Sequence, residues 1–223
     1  YHGRQVDFAY GNAVKEGDSF TLGSVELRII ETPGHTFESI SIIVTDREVS
    51  DLPYAVFTGD TLFAGDAGRT DLFGPGRRPE MSALLYQSLW EKILPLGDGT
   101  LVLPAHGAGS VCGSAISDHE ITTVGYEKKT NPLLALSKEE FIRKNVQQHH
   151  YVPPYFRKME ELNKEGAPLL NHLPDLRPFT LDELRDIQEM SQVLDIRSPT
   201  SFAAGHIKGS LSIWKEGIPS FAG

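Results

Sequence analysis

Three residues with metal-binding side chains, His35, Asp60 and His106, each stand just past the end of an apolar, β-branched run. The runs are Val25–Ile30, Tyr54–Phe57 and Leu101–Leu103, and they read as strands by alternation or by continuous apolarity. After them come Thr32-Pro33-Gly34-His35-Thr36, Thr58-Gly59-Asp60-Thr61 and Pro104-Ala105-His106-Gly107. In a layered α/β protein, loops at one rim of a sheet converge, and two imidazoles with a carboxylate converging there form a donor set for a divalent ion. Glycine beside each candidate removes the Cβ that would hold neighbouring backbone away. Taken singly, a histidine after a strand is more often a hydrogen-bonded structural residue, and Gly-Asp is commonly a turn. The repeated context tips the balance toward metal.

The elements that must position these residues follow from local pattern. Strands are expected at Ser19–Leu22, Val25–Glu31, Ile40–Thr45, Tyr54–Thr58 and Leu101–Leu103. Met81, Leu84, Leu85, Leu89 and Ile93 recur at helical spacing, so one helix is expected from Pro79 to Leu94 with the proline in its first turn. The glycine-rich stretch before it, 64–78, lacks a Gly-Lys-Ser/Thr ending and does not open a helix directly, which argues against a phosphate loop. Beyond His106 the chain turns helical. Ser137 and Glu140 form a capping box for a helix to about Gln147. Another fits Pro154–Glu165, closed by Gly166 in the αL conformation. The next stretch, 166–178, carries three prolines and no period and reads as a linker; Thr180 with Glu183 then caps a short helix.

The 223 residues suffice for one large domain or two modest ones. The net charge of −9 is spread along the chain without a basic block, so nucleic acid and anionic membrane surfaces are poor partners. No apolar stretch is long enough to span a bilayer. Cys112 is the single cysteine, which rules out an internal disulfide and suits a reducing compartment, the cytoplasm by expectation.

The motifs Glu31-Thr-Pro-Gly-His-Thr36, Phe57-Thr-Gly-Asp-Thr-Leu-Phe63 and Pro104-Ala-His-Gly-Ala-Gly-Ser110 resemble the later metal motifs of the metallo-β-lactamase superfamily. Within it, Gly68-Arg-Thr-Asp-Leu72, Gly107-Ala-Gly-Ser-Val-Cys-Gly113 and Pro153-Pro-Tyr-Phe156 with Leu162-Asn163 look most like persulfide dioxygenases fused to rhodanese modules. Val193–Arg197 and Gly205–Ile213 resemble the opening of a rhodanese domain, ahead of any loop with a sulfur-transfer cysteine. The resemblance implies an α/β class, an αβ/βα sandwich at 1–165, a linker at 166–179 and the beginning of an α/β rhodanese-like domain at 180–223. The superfamily's first motif, His-x-His-x-Asp-His, has no counterpart here, so the sandwich is expected to be N-terminally incomplete and short of at least one ligand.

Two histidines and a carboxylate with open positions suit Fe(II) that must accept both a substrate and O₂, with zinc as the alternative metal. In the resembling dioxygenases the iron uses an upstream histidine and the residues matching His35 and Asp60. His106 matches a second-metal ligand of the two-zinc hydrolases, or a hydrogen-bonding neighbour in a one-iron site. The implied function is oxidation of a thiol persulfide to sulfite and thiol. A two-zinc thioester hydrolase of the glyoxalase II type is the alternative, and a non-catalytic sulfur-carrier docking module the third reading. Partners are then a small thiol persulfide and O₂, and a homo-oligomer is compatible with both. Arg69 is the substrate-side candidate, pairing with a carboxylate of a glutathione-like molecule; an ion pair with Asp66 or Asp71 that shapes the loop weighs about equally. Cys112 is read as structurally buried and His149-His150 as solvated at a helix end. His119, His172 and His206 are read as structural, and Lys128 and Lys129 as a solvated helical face.

Overall fold

Strand register brings the three candidate loops to one rim. The computed structural model describes residues 2–3, 8–150, 152, 155–169, 172, 176–187 and 190–218. The chain divides into two compact units, Tyr1–Tyr151 and Val152–Gly223.

In the first unit β1 (His2–Gly3) pairs in parallel with β2 (Ala13–Val14). A six-stranded sheet follows, built from β3 (Ser19–Leu22), β4 (Val25–Glu31), β5 (Ile40–Asp46) and β6 (Ala55–Gly59). After the small hairpin of β7 (Leu62–Phe63) and β8 (Asp66–Ala67) it is completed by β9 (Leu101–Pro104) and β10 (Thr122–Thr123). Its order is β10-β9-β6-β5-β4-β3, antiparallel except where β6 and β9 run side by side in parallel. Because β4 and β5 are antiparallel, the end of β4 that leads to His35 lies at the start of β5. The parallel β6–β9 pair sends the chain out at that same rim toward Asp60 and His106.

The two faces of the sheet differ. Arg28, Ile43, Val56, Val102 and Thr122 stand opposite one another across the strands, and Ile43, Val56 and Val102 are buried with Leu85, Leu89, Ile93 and Phe141 from the helices. Each such aliphatic side chain contributes about 1.5–3 kcal/mol on leaving water. The neighbouring row, Phe20, Leu27, Val44, Ala55 and Leu101, is apolar too, yet apart from Ala55 it is only half-buried.

The single helix expected at Pro79–Leu94 is three segments. α1 (Arg78–Gln87) passes into a π-helical stretch, Ser88–Ile93, and then a 3₁₀ turn, Leu94–Leu96. The wider winding keeps Leu89 and Ile93 in the core while Ser88 Oγ donates to the Pro33 carbonyl (2.7 Å) and Lys92 Nζ to that of Glu31 (2.6 Å). Pro95 has no N–H with which to continue an α ladder. α2 (Val124–Thr130) precedes α3 (Lys138–Gln147), which opens on the expected capping box: Ser137 Oγ accepts from Glu140 N and Glu140 Oε2 from Ser137 N.

In the second unit α4 runs over Phe156–Glu165; Pro154, where the sequence suggested its start, lies outside the described residues. Gly166 has positive φ, but its ψ of 137° is not the αL value expected; its N–H still closes on the Leu162 carbonyl at 2.8 Å. α5 (Leu181–Ile187) starts at the reciprocal Thr180–Glu183 cap. β11 (Leu194–Asp195) and β12 (Leu211–Ser212) pair in parallel around α6 (Pro199–Ala204). Among the described residues no helix is long and apolar enough to cross a membrane.

Candidate metal site

His35 sits in the turn after β4, where Gly34 packs so closely on Leu85 of α1 that a Cβ would collide with its backbone. Its ring is 8% exposed, and Nδ1 lies 2.9 Å from the Arg69 carbonyl oxygen. A carbonyl can only accept, so Nδ1 carries the proton and the lone pair is left on Nε2, the tautomer a metal requires. That Nε2 is 4.0 Å from Asp60 Oδ1. His106 arrives from β9, where the Ala105 N–H donates to the Gly59 carbonyl, and its Nε2 is 3.1 Å from the same oxygen. All three predicted ligands therefore come together around one carboxylate oxygen.

Buried hydroxyls tie the two loops into a frame. Thr61 Oγ1 donates to Thr32 Oγ1 (3.0 Å), Thr32 Oγ1 pairs with Ser41 Oγ (2.9 Å), and Thr58 Oγ1 donates to the Leu62 carbonyl (2.7 Å). Gly68 closes the frame, because a Cβ there would run into the Asp60 carbonyl oxygen and press on His35 Cβ. Asp60 Oδ1 itself is buried and accepts no hydrogen bond. A buried anionic oxygen without a donor, facing two imidazole nitrogens, fits a cation as its partner.

A family model described as the metallo-beta-lactamase superfamily matches residues 3–106, the segment that holds this site, and a rhodanese-like domain model matches 180–222. Residues 3–106, with all three candidate ligands among them, are thus similar to the metallo-beta-lactamase superfamily. The chain's structural neighbours agree. A Staphylococcus aureus metallo-beta-lactamase crystal structure aligns with a TM-score of 0.75 at 29% identity, covering 93% of this chain and 57% of that one. The structure of ETHE1 from Myxococcus xanthus aligns at 0.55 with 30% identity over 68% of this chain and 59% of that one. Among curated proteins, an uncharacterized protein of Mycobacterium leprae is 41% identical over 121 residues, 54% of this chain and 45% of that protein. Mouse mitochondrial persulfide dioxygenase ETHE1 is 35% identical over 141 residues, 63% and 46% of the two chains. Haemophilus influenzae hydroxyacylglutathione hydrolase GloC is 33% identical over 120 residues, 54% and 46%. The chain spans less than half the length of these three proteins.

Around these residues, Arg69 shows the Asp71 ion pair that was one of its two readings, whereas His150 departs from its reading. Arg69 is 1% exposed, and its Nε and Nη2 hold both oxygens of Asp71 at 2.6 and 2.9 Å while Nη1 donates to the Val111 carbonyl. Asp71 is 5% exposed. Burial pushes its carboxyl up, but the hydrogen bonds and charge of Arg69, with a smaller effect of His150, leave it below the ordinary carboxylate value. His150, read as solvated, is half-buried near Asp71, Arg69, Arg78 and Asp66, and burial lowers its pKa.

Cys112 is the larger surprise. It stands beside the site rather than in the core, with a ligand-capable group each from His35, Asp60 and Cys112 all within 4.8 Å of one another. Burial and the nearby Asp60 charge raise the pKa of its thiol. Only its spacing from His106 within a glycine-rich turn hinted at this in the sequence. Asp66, expected to shape a loop, does so: Oδ2 accepts from the Ser114 and Ala115 N–H groups, each at 2.7 Å.

Proposed function

We propose that this domain binds a divalent metal through His35 and Asp60, with His106 as a close neighbour or second-metal ligand, and that it oxidises a thiol persulfide to sulfite and thiol. The observation that carries the metal assignment is the orphaned, buried Asp60 Oδ1 between two imidazoles. The persulfide assignment leans on the likeness to ETHE1 proteins together with a rhodanese-like segment in the same chain. The division into 1–165, 166–179 and 180–223 remains part of this proposal.

Ferrous iron, when bound, supplies activation of O₂ for transfer to the terminal sulfur; with one water, persulfide and O₂ give thiol, sulfite and protons. The protein's own residues set the stage. The Arg69 carbonyl keeps the His35 proton on Nδ1, and the Thr58–Thr61–Thr32–Ser41 hydroxyl frame keeps Asp60 beside it. His106, 38% exposed, is placed to donate to or accept from a substrate group next to Asp60. We assign Arg69 to shaping the loop through Asp71, the second of the two roles its sequence context allowed, rather than to direct substrate contact.

A two-zinc thioester hydrolase is the second reading, favoured by the 3.1 Å approach of His106 to Asp60 and by the GloC likeness. The deciding experiment loads the chain, and a form extended upstream with a His-x-His-x-Asp-His segment, with Fe(II) or Zn(II). Sulfite formation and O₂ uptake from glutathione persulfide with iron support the dioxygenase. Thioester hydrolysis with zinc and indifference to persulfide would replace it with the hydrolase.

A further inference from the structure

We propose that Cys112 is a thiolate ligand of the metal held by His35 and Asp60, which makes this a His-Asp-Cys site for a borderline or soft divalent ion such as zinc, ferrous iron or cobalt. The inference rests on the metal reading above and adds a donor that it does not include. Among the described residues, the donors close enough to share one ion are His35, Asp60 and Cys112. In a four-coordinate site with bonds of roughly 2.0–2.3 Å, donor atoms lie about 3.6 Å apart. The observed spread of up to 4.8 Å closes to that with about 1 Å of side-chain adjustment.

The thiol is held on both sides by backbone. The Cys112 N–H donates to Ser110 Oγ (3.1 Å), and its carbonyl accepts from the Arg69 N–H (3.1 Å). The preceding carbonyl, Val111, is taken by Arg69 Nη1, and the following residues, Ser114 and Ala115, are clamped on the buried Asp66 carboxylate. Asp66 is anchored in turn, since its carbonyl accepts from Asn131 Nδ2, which also donates to Glu127. A loop fixed at 110, 111, 112, 114 and 115 presents one side chain to Asp60 and little freedom to withdraw it. A preorganised donor is what a ligand needs and a merely space-filling thiol does not. A thiolate also favours the softer end of the divalent series over magnesium or calcium.

Because the chain has one cysteine, any thiolate-to-metal band it shows belongs to Cys112. The test is titration of the chain with Co(II) in thiol-free buffer, followed by absorption spectroscopy. Visible ligand-field bands should appear together with a near-ultraviolet sulfur-to-cobalt charge-transfer band. Cys112→Ser should abolish the charge-transfer band and weaken cobalt binding by at least about tenfold. Its fold should persist, because the backbone bonds of residue 112 to Ser110 and Arg69 do not need the sulfur and a serine hydroxyl can replace the thiol beside Ser110 and Asp60; circular dichroism checks that. Ligand-field bands without a charge-transfer band, with equal affinity in Cys112→Ser, would overturn the thiolate assignment and leave the metal site standing. No cobalt binding at all, in wild type and variants alike, would overturn the metal reading and this inference with it.

Discussion

Arg69→Ala separates loop shaping from substrate contact. The guanidinium and Asp71 form a two-pronged pair, 1% and 5% exposed, and removing one partner of a buried pair costs about 3–5 kcal/mol because the other charge is stranded. Arg78 Nη2, 3.4 Å from Asp71 Oδ2, relieves part of that, so about 3 kcal/mol is the expected loss. For a unit of this size that corresponds to a melting temperature lower by roughly 6–12 °C. The pH dependence carries a second signature. Asp71 is held below its ordinary pKa, so the wild-type pair stabilises fully above the unfolded value near pH 4 and is lost as pH falls through the lower folded value. In Arg69→Ala, burial is left to dominate and Asp71 titrates upward, so the variant's deficit should shrink in acid. Urea unfolding at pH 7 and at about pH 3 reads both effects. A variant within about 0.5 kcal/mol of wild type at neutral pH would show that the pair carries no stability and would return Arg69 to the substrate side.

Gly68→Ala should place a methyl against the Asp60 carbonyl and His35 Cβ, lowering cobalt affinity by at least about tenfold; unchanged affinity would mean the site does not depend on that close approach. Asp66→Ala strands the Ser114 and Ala115 N–H groups and should cost about 2–4 kcal/mol, with faster hydrogen exchange at those two amides. Retained protection there would show that other acceptors hold the 112–115 loop.

The long strands and the capped helices were legible because each signal is local: alternation in Ile40–Asp46, a reciprocal cap at Ser137–Glu140 and another at Thr180–Glu183. The two-residue strands β7 and β8 were not, being too short for any period. Nor was the π-helical turn at Ser88–Ile93, whose reason is the reach of Ser88 and Lys92 to the carbonyls of the His35 loop. At the site, His35, Asp60 and His106 could be named because each follows its strand directly. Cys112 could not be placed, since its position depends on Arg69 and Asp66 gripping a loop more than 40 residues away in the chain. His150 is likewise half-buried near the charges of Asp71 and Arg78, which are far from it in sequence.

The bond that selects the tautomer of His35 comes from a main-chain carbonyl, that of Arg69. Replacing the Arg69 side chain leaves that carbonyl in place, and the N–H that holds Cys112 survives as well. A scan of side-chain substitutions would therefore be blind to the group that orients the imidazole, and selection acting through amino-acid identity has little purchase on it. What can change it is the path of the peptide itself, through Gly68 on one side or the Thr70–Ser82 hydroxyl pair on the other. The heritable part of this orientation is written in neighbours that never touch the ring's nitrogen.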